Sequence, residues 1–143
     1  MNKNIIYLFL LLQYLNVSSQ ENDEESPMMK LRINKSKVYW DKIDKLGFAI
    51  SQIGLVQTKS SPVILGVCEV ENKNVLEDLV KSKYLKSSNY QIIHYDSPSY
   101  RGIDVAFLYQ EKYFKPIHHE VFDPNIYRDG RKLKTRDQLL VSG

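Results

Sequence analysis

Residues 62–79 read Pro62-Val63-Ile64-Leu65-Gly66-Val67-Cys68-Glu69-Val70-Glu71-Asn72-Lys73-Asn74-Val75-Leu76-Glu77-Asp78-Leu79. This one run holds a strand, its end and the helix that follows. Val63 to Cys68 is a continuous apolar stretch with β-branched residues, introduced by Ser61-Pro62, as expected for a strand buried on both faces. It ends on carboxylates, at Glu69 and Glu71. Asn72 or Asn74 can cap a helix whose Val75, Leu76, Leu79 and Val80 form an apolar stripe, with Glu77 and Asp78 near its positive end.

Upstream, Tyr39, Ile43, Leu46, Ile50 and Ile53 recur at spacings of three and four, with Asp41, Lys42, Asp44, Lys45 and Ser51 between them. An amphipathic helix over residues 38–53 follows, closed by Gly54. Downstream, residues 90–95 and 103–109 read as an antiparallel pair of strands across a turn-rich segment, 96–102. Residues 116–122 offer a short strand and 123–134 a polar loop, and 138–142 begin a further strand for which no neighbour is evident. Strands alternating with helices set the class as α/β.

The 143 residues carry 20 Lys and Arg against 17 Asp and Glu, with 43% hydrophobic residues, which excludes collagen-like and wholly disordered chains. A net charge of +3, in basic runs no longer than two residues, neither supports nor excludes a nucleic-acid partner. The single cysteine, Cys68, excludes an intrachain disulfide and a Cys-clustered zinc site, and in an apolar strand it reads as a small hydrophobe. Lys3, the apolar run Ile5 to Leu12 and the small residues before Gln20 predict an export signal over 1–19, too short to span a bilayer, which takes about 20 apolar residues. A periplasmic or extracellular location follows. Residues 20–30 open with four acids and predict a solvated linker, and residues 31–143 predict the folded domain.

A strand that delivers a carboxylate at its carboxyl end suits Mg²⁺, which prefers oxygen ligands from one or two acids together with substrate phosphate. Glu69 and Glu71 share a face if the strand stays extended and diverge if it ends at Val70; either acid can equally serve the dipole of the next helix. His118 and His119 are adjacent, so on a strand they point to opposite sides and form no two-His metal face. His94, a lone polar residue in an apolar strand, reads as a hydrogen-bonded sheet histidine. Asp104 lies in an otherwise apolar strand and needs a donor, for which Arg101 is one candidate. Arg128, Arg131, Lys132, Lys134 and Arg136 crowd one polar segment that can contact phosphate or simply face solvent.

The run at 62–79, the segment IIHYDSPSYRGIDVAFLY at 92–109, TRDQLLVSG at 135–143 and YWDKIDKLGFAISQIG at 39–54 together resemble the endonuclease/exonuclease/phosphatase superfamily. They are most similar to its exported bacterial endonuclease-like branch. The resemblance implies a deoxyribonuclease I-like fold, a four-layer α-β-β-α sandwich, of which this sequence would be the amino-terminal part with the carboxyl-terminal half missing. It implies Mg²⁺ (or Mn²⁺) as cofactor and a nucleic acid or other phosphoester as substrate. Glu69 occupies the family's metal-ligand glutamate position, and Arg101 and Arg136 fall where the family approaches the substrate phosphate. The family's opening strand and its Asn are represented here only by Leu31-Arg32-Ile33 and Asn34, and its Asp-x-Asn, Asn-His-Trp and Ser-Asp-His segments would follow Gly143. The expectation is a metal-dependent, nuclease-like phosphoester hydrolase with little turnover as this chain alone. The alternatives are a non-enzymatic exported domain completed by a partner's strand and a phosphatase for small phosphoesters.

Overall fold

A computed structural model describes residues 27–98, 103–133, 135 and 137–143, and of residues 27–34 the backbone only. Helix α1 runs Pro27–Gln52, α2 is a single turn at Leu55–Thr58, and α3 covers Lys73–Lys81. The strands are β1 (Ile64–Val70), β2 (Tyr90–Tyr95), β3 (Asp104–Gln110), β4 (His118–Phe122), β5 (Tyr127–Arg128), β6 (Arg131–Lys132) and β7 (Gln138–Ser142).

The stripe expected at 38–53 is the buried face of α1: Ile43 and Ile50 are core residues, with Tyr39 and Leu46 packed against them. The helix begins well ahead of that stripe, taking in Leu31-Arg32-Ile33 and the end of the segment expected to be a linker. Nothing in 27–37 breaks a helix once Pro27 supplies a first-turn φ. Gly54, at φ 72°, ends the helix in the left-handed conformation that favours glycine. In α3 the cap is Asn72, whose side chain accepts from the Val75 amide at 3.2 Å. Leu76 and Leu79 of that helix are fully buried.

The main sheet has the order β1-β3-β2, with both flanking strands antiparallel to β3. The expected 90–95/103–109 hairpin is therefore present, His94 facing Ala106 and Tyr95 facing Val105 across it. β1 departs from expectation: among the described residues it is an edge strand, and Gly66 is exposed. Its apolar run reflects one face on the helices and partial cover on the other, rather than burial between two neighbours. Leu65, Val70, Tyr90, Ala106 and Leu108 form one core with α1 and α3.

Residues 138–142 do have a neighbour. β7 pairs antiparallel with β4, from His118↔Ser142 to Phe122↔Gln138. Both edges of β3 are occupied, so the contact of β7 with β3 is made through a face. That face is the one away from the helices, because Tyr95, which alternates with the helix-side His94, reaches His119 of β4. Phe107 and Tyr109 stack there, and Phe114 packs against both at steep angles. The expected loop at 123–134 contains a two-residue hairpin, β5–β6, turned by Asp129 and Gly130 at φ 50° and 71°. Mixed α/β architecture is thus present, with a helical layer, a sheet and a second ladder; a second helical layer is not found among the described residues.

Candidate functional site

Because β1 and β2 both run antiparallel to β3, their carboxyl ends and the amino end of β3 lie at one end of the sheet. Glu69, His94, Asp96 and Asp104 are all brought to that end. At Glu69 the ladder slips: Cys68 faces Val105 and Val70 faces Asp104, leaving Glu69 as the extra residue of a bulge. Its φ is 62°, a conformation that a non-glycine residue adopts only where surrounding contacts enforce it. A bulge of this kind breaks the alternation of the strand and re-aims one side chain at its end. Glu69 and Glu71 consequently do not share a strand face: β1 ends at Val70, and the charge of Glu71 is felt by Tyr39 on α1. Burial, then the hydrogen bond to Asp78 and the charges of Asp78 and Glu71, push the Tyr39 hydroxyl up to about 12.

On β2 and β3 the carboxylate of Asp104 is buried, with only 8% of its side chain exposed. Its Oδ2 lies 3.0 Å from His94 Nε2, and its Oδ1 accepts from the Ser97 amide at 2.8 Å. These two supply donors that the apolar strand demands; Arg101, the candidate read from the sequence, lies outside the described residues together with Arg136. His94 is equally buried, with 6% of its side chain exposed, and its Nδ1 lies 3.9 Å from Oδ1 of the exposed Asp96. His94, Asp96 and Asp104 present ligand atoms within 4.8 Å of one another, which makes them a possible metal-binding group. Asp96 was not legible as a member of it. The signal was His94-x-Asp96 at the end of a strand, which puts two side chains on one face, together with the register that sets Asp104 opposite.

The other imidazoles lie apart on β4. His118 Nε2 is 3.3 Å from Glu120 and His119 Nδ1 is 2.7 Å from the Tyr95 hydroxyl, on opposite faces as expected. Of the basic segment, Lys132 is paired with Asp123, whose carboxyl this bond holds below its usual range, while Arg128 and Arg131 are exposed on the β5–β6 hairpin. Lys134 lies outside the described residues. An open groove at the opposite end of the sheet is lined by Ser61, Ser88, Gln110 and Tyr113. Ser61 already bonds Ser88 at 2.7 Å and Gln110 at 3.1 Å, so those polar groups serve structure.

Glu69 lies near the carboxyl end of β1, the strand that carries the resemblance read from 62–79. A profile of the Endonuclease/Exonuclease/phosphatase family matches residues 11–143. The chain belongs to that family. The matched range takes in the helix α1, the main sheet and the β4–β7 ladder, and it begins inside the stretch read as an export signal. Comparisons with curated proteins and with solved structures give no match. Membership makes this a family of phosphoester hydrolases of nuclease-like character, whose members in general use divalent metals and act on phosphoester or nucleic-acid substrates. No helix among the described residues is long and apolar enough to cross a membrane.

Proposed function

We propose that the chain is a divalent-metal-dependent phosphoester hydrolase domain of nuclease type, exported by the signal-like segment 1–19, with Glu69 as its metal ligand. The observation that carries the reading is the left-handed bulge at Glu69. Backbone strain of this sort is retained where a side chain must be held in one place, and here the side chain is the carboxylate in the family's metal-ligand position. Fit with a hard dication is supported by donor chemistry: a partly exposed carboxylate oxygen ligand at the end of a rigid strand. The metal, when bound, supplies Lewis-acid polarisation of a phosphoryl oxygen. Glu69 holds it; Arg101 and Arg136, by resemblance, steady the anionic ester.

General-base duty is harder to fill from this chain. His118 is engaged with Glu120 and His119 with Tyr95, and His94, though oriented by Asp104, has only 6% of its side chain exposed, too little for a phosphoester to reach. The 143 residues alone are therefore proposed to hold metal and phosphoester with little turnover. The test combines Mg²⁺-dependent binding of a DNA duplex with nicking of supercoiled plasmid, for the chain and for Glu69→Gln. Expected are EDTA-sensitive binding that Glu69→Gln weakens at least about ten-fold and slow nicking. Binding indifferent to both EDTA and Glu69→Gln would overturn the metal assignment, and rapid EDTA-sensitive nicking would overturn the low turnover.

A further inference from the structure

We propose that His94 and Asp96, with Asp104 behind the imidazole, form a binding site for a transition-metal dication of the zinc class, built from residues other than Glu69. A carboxylate oxygen accepts from an imidazole N–H, so the 3.0 Å contact with Asp104 is read as a hydrogen bond donated by His94 Nε2. The other ring nitrogen, Nδ1, lies 3.9 Å from Asp96 Oδ1. That distance is too long for an N–H···O hydrogen bond, which closes at about 2.7–3.2 Å. Two metal–ligand bonds of about 2.0–2.2 Å at a tetrahedral angle span about 3.4 Å between their ligand atoms, a separation that a small movement of the exposed Asp96 side chain reaches. A lone pair beside a carboxylate is unfavourable, and a cation between them turns the repulsion into two bonds.

The surroundings favour a metal over a plain ion pair. The His94 side chain is more than nine-tenths buried and cannot turn to find another partner, since Asp104 fixes one ring nitrogen and is itself fixed by the Ser97 amide. A carboxylate that orients an imidazole and raises the basicity of its other nitrogen is the arrangement found behind metal-ligating histidines. Asp96, by contrast, is 94% exposed, so it can close on an ion that enters from solvent. One nitrogen and one or more carboxylate oxygens suit zinc or manganese better than magnesium, which prefers oxygen alone. Glu69 lies in β1, one strand from Asp104 and two from His94, roughly 10 Å from the imidazole at about 4.8 Å per strand, so the two carboxylate groups belong to one end of the sheet but need not share an ion.

Zn²⁺ itself is the probe. The ring nitrogens of the ¹⁵N-labelled chain are followed by NMR during a zinc titration, in a His118→Gln/His119→Gln background that removes the exposed imidazoles. Expected is a large shift of His94 Nδ1 with Nε2 remaining protonated, and at least about ten-fold weaker zinc binding in Asp96→Asn. Asp96→Asn alters an exposed side chain, so its fold is retained. Glu69→Gln is expected to leave zinc affinity unchanged within about two-fold, so this site and the Glu69 assignment fail separately. His94 protonated on both nitrogens at neutral pH and indifferent to zinc, or Asp96→Asn binding like the parent, overturns the proposal.

Discussion

Glu69 is held at φ 62°, where an L side chain pays about 1–2 kcal/mol for crowding between Cβ and the following carbonyl. Glycine has no Cβ and accepts this conformation freely, whereas a β-branched residue is worst placed in it. Glu69→Gly is therefore expected to unfold in urea no earlier than Glu69→Val, with the valine variant about 1–2 kcal/mol the weaker, and both are expected to lose the Mg²⁺ response. Equal midpoints for the two would show that the bulge is not held in the left-handed region. Asp104 sets a different balance. Replacing it by alanine strands the His94 Nε2–H and the Ser97 N–H inside the protein, since their acceptor at 3.0 and 2.8 Å is gone. Leaving buried donors unpaired is expected to lower stability by about 3 kcal/mol, read from the shift in urea midpoint. Neither residue announces its environment in one dimension: glutamate carries no local preference for positive φ, and the need of Asp104 for a donor was readable while the identity of the donor was not.

Besides their shared core, α1 approaches α3 and its C-cap Ser82 through a close contact at Gly47 and a hydrogen bond from Tyr39. A Cβ on Gly47 would fall 2.5 Å from Ser82 Oγ and 3.5 Å from Ser82 Cβ. Ser82 Oγ is itself buried without a partner among the described residues. Gly47→Ala is expected to destabilise by about 1–3 kcal/mol through overpacking, and Ser82→Ala to be neutral or mildly stabilising because it removes an unsatisfied hydroxyl. The double variant should then recover most of the loss, since the Cβ contact that remains is ordinary. Additive losses in thermal unfolding would show that the crowding lies elsewhere. The hydrogen bond is Tyr39 to Asp78 at 2.6 Å. With the Tyr39 hydroxyl raised from 10.0 to about 12 in the fold, the folded state keeps its proton where the unfolded state has lost it. Its contribution is complete below pH 10 and fades as pH climbs from 10 towards 12. Tyr39→Phe should be less stable at neutral pH and flatter in its base-induced loss of stability, measured by urea unfolding across that interval.

Across the whole molecule, what local pattern encodes was legible and what register decides was not. The stripe of Tyr39, Ile43, Leu46 and Ile50, the Asn72 cap and the β2–β3 hairpin each rest on residues within a turn or a loop of one another. The edge position of β1, the β4–β7 pairing and the meeting of His94 with Asp96 and Asp104 rest on partners chosen by the assembled sheet. The Asp129-Gly130 turn was written in the sequence, but the two-residue strands on either side are too short to show an alternation. These long-range pairings divide the chain into a helix-covered sheet with most of the buried core and a ladder whose outer positions, such as Leu140 and Phe122, are exposed. Stability should be divided the same way, because local opening follows buried apolar contact. Amides of β3, flanked on both edges, are expected to exchange slowest, and those of β4 and β7 faster. Among the described residues, two bonds tether the ladder to the end of the sheet: Tyr95 hydroxyl to His119 at 2.7 Å, and the Asp137 amide to Ser97 Oγ at 3.3 Å. At about 1 kcal/mol net each, loss of either should speed opening of the ladder about five-fold. Tyr95→Phe combined with Ser97→Ala should accordingly raise hydrogen exchange in β4 and β7 while leaving β3 near its original rate. Equal acceleration in all three strands would mean that sheet and ladder open as one cooperative unit, and that the tethers stabilise the whole rather than dock a separable part.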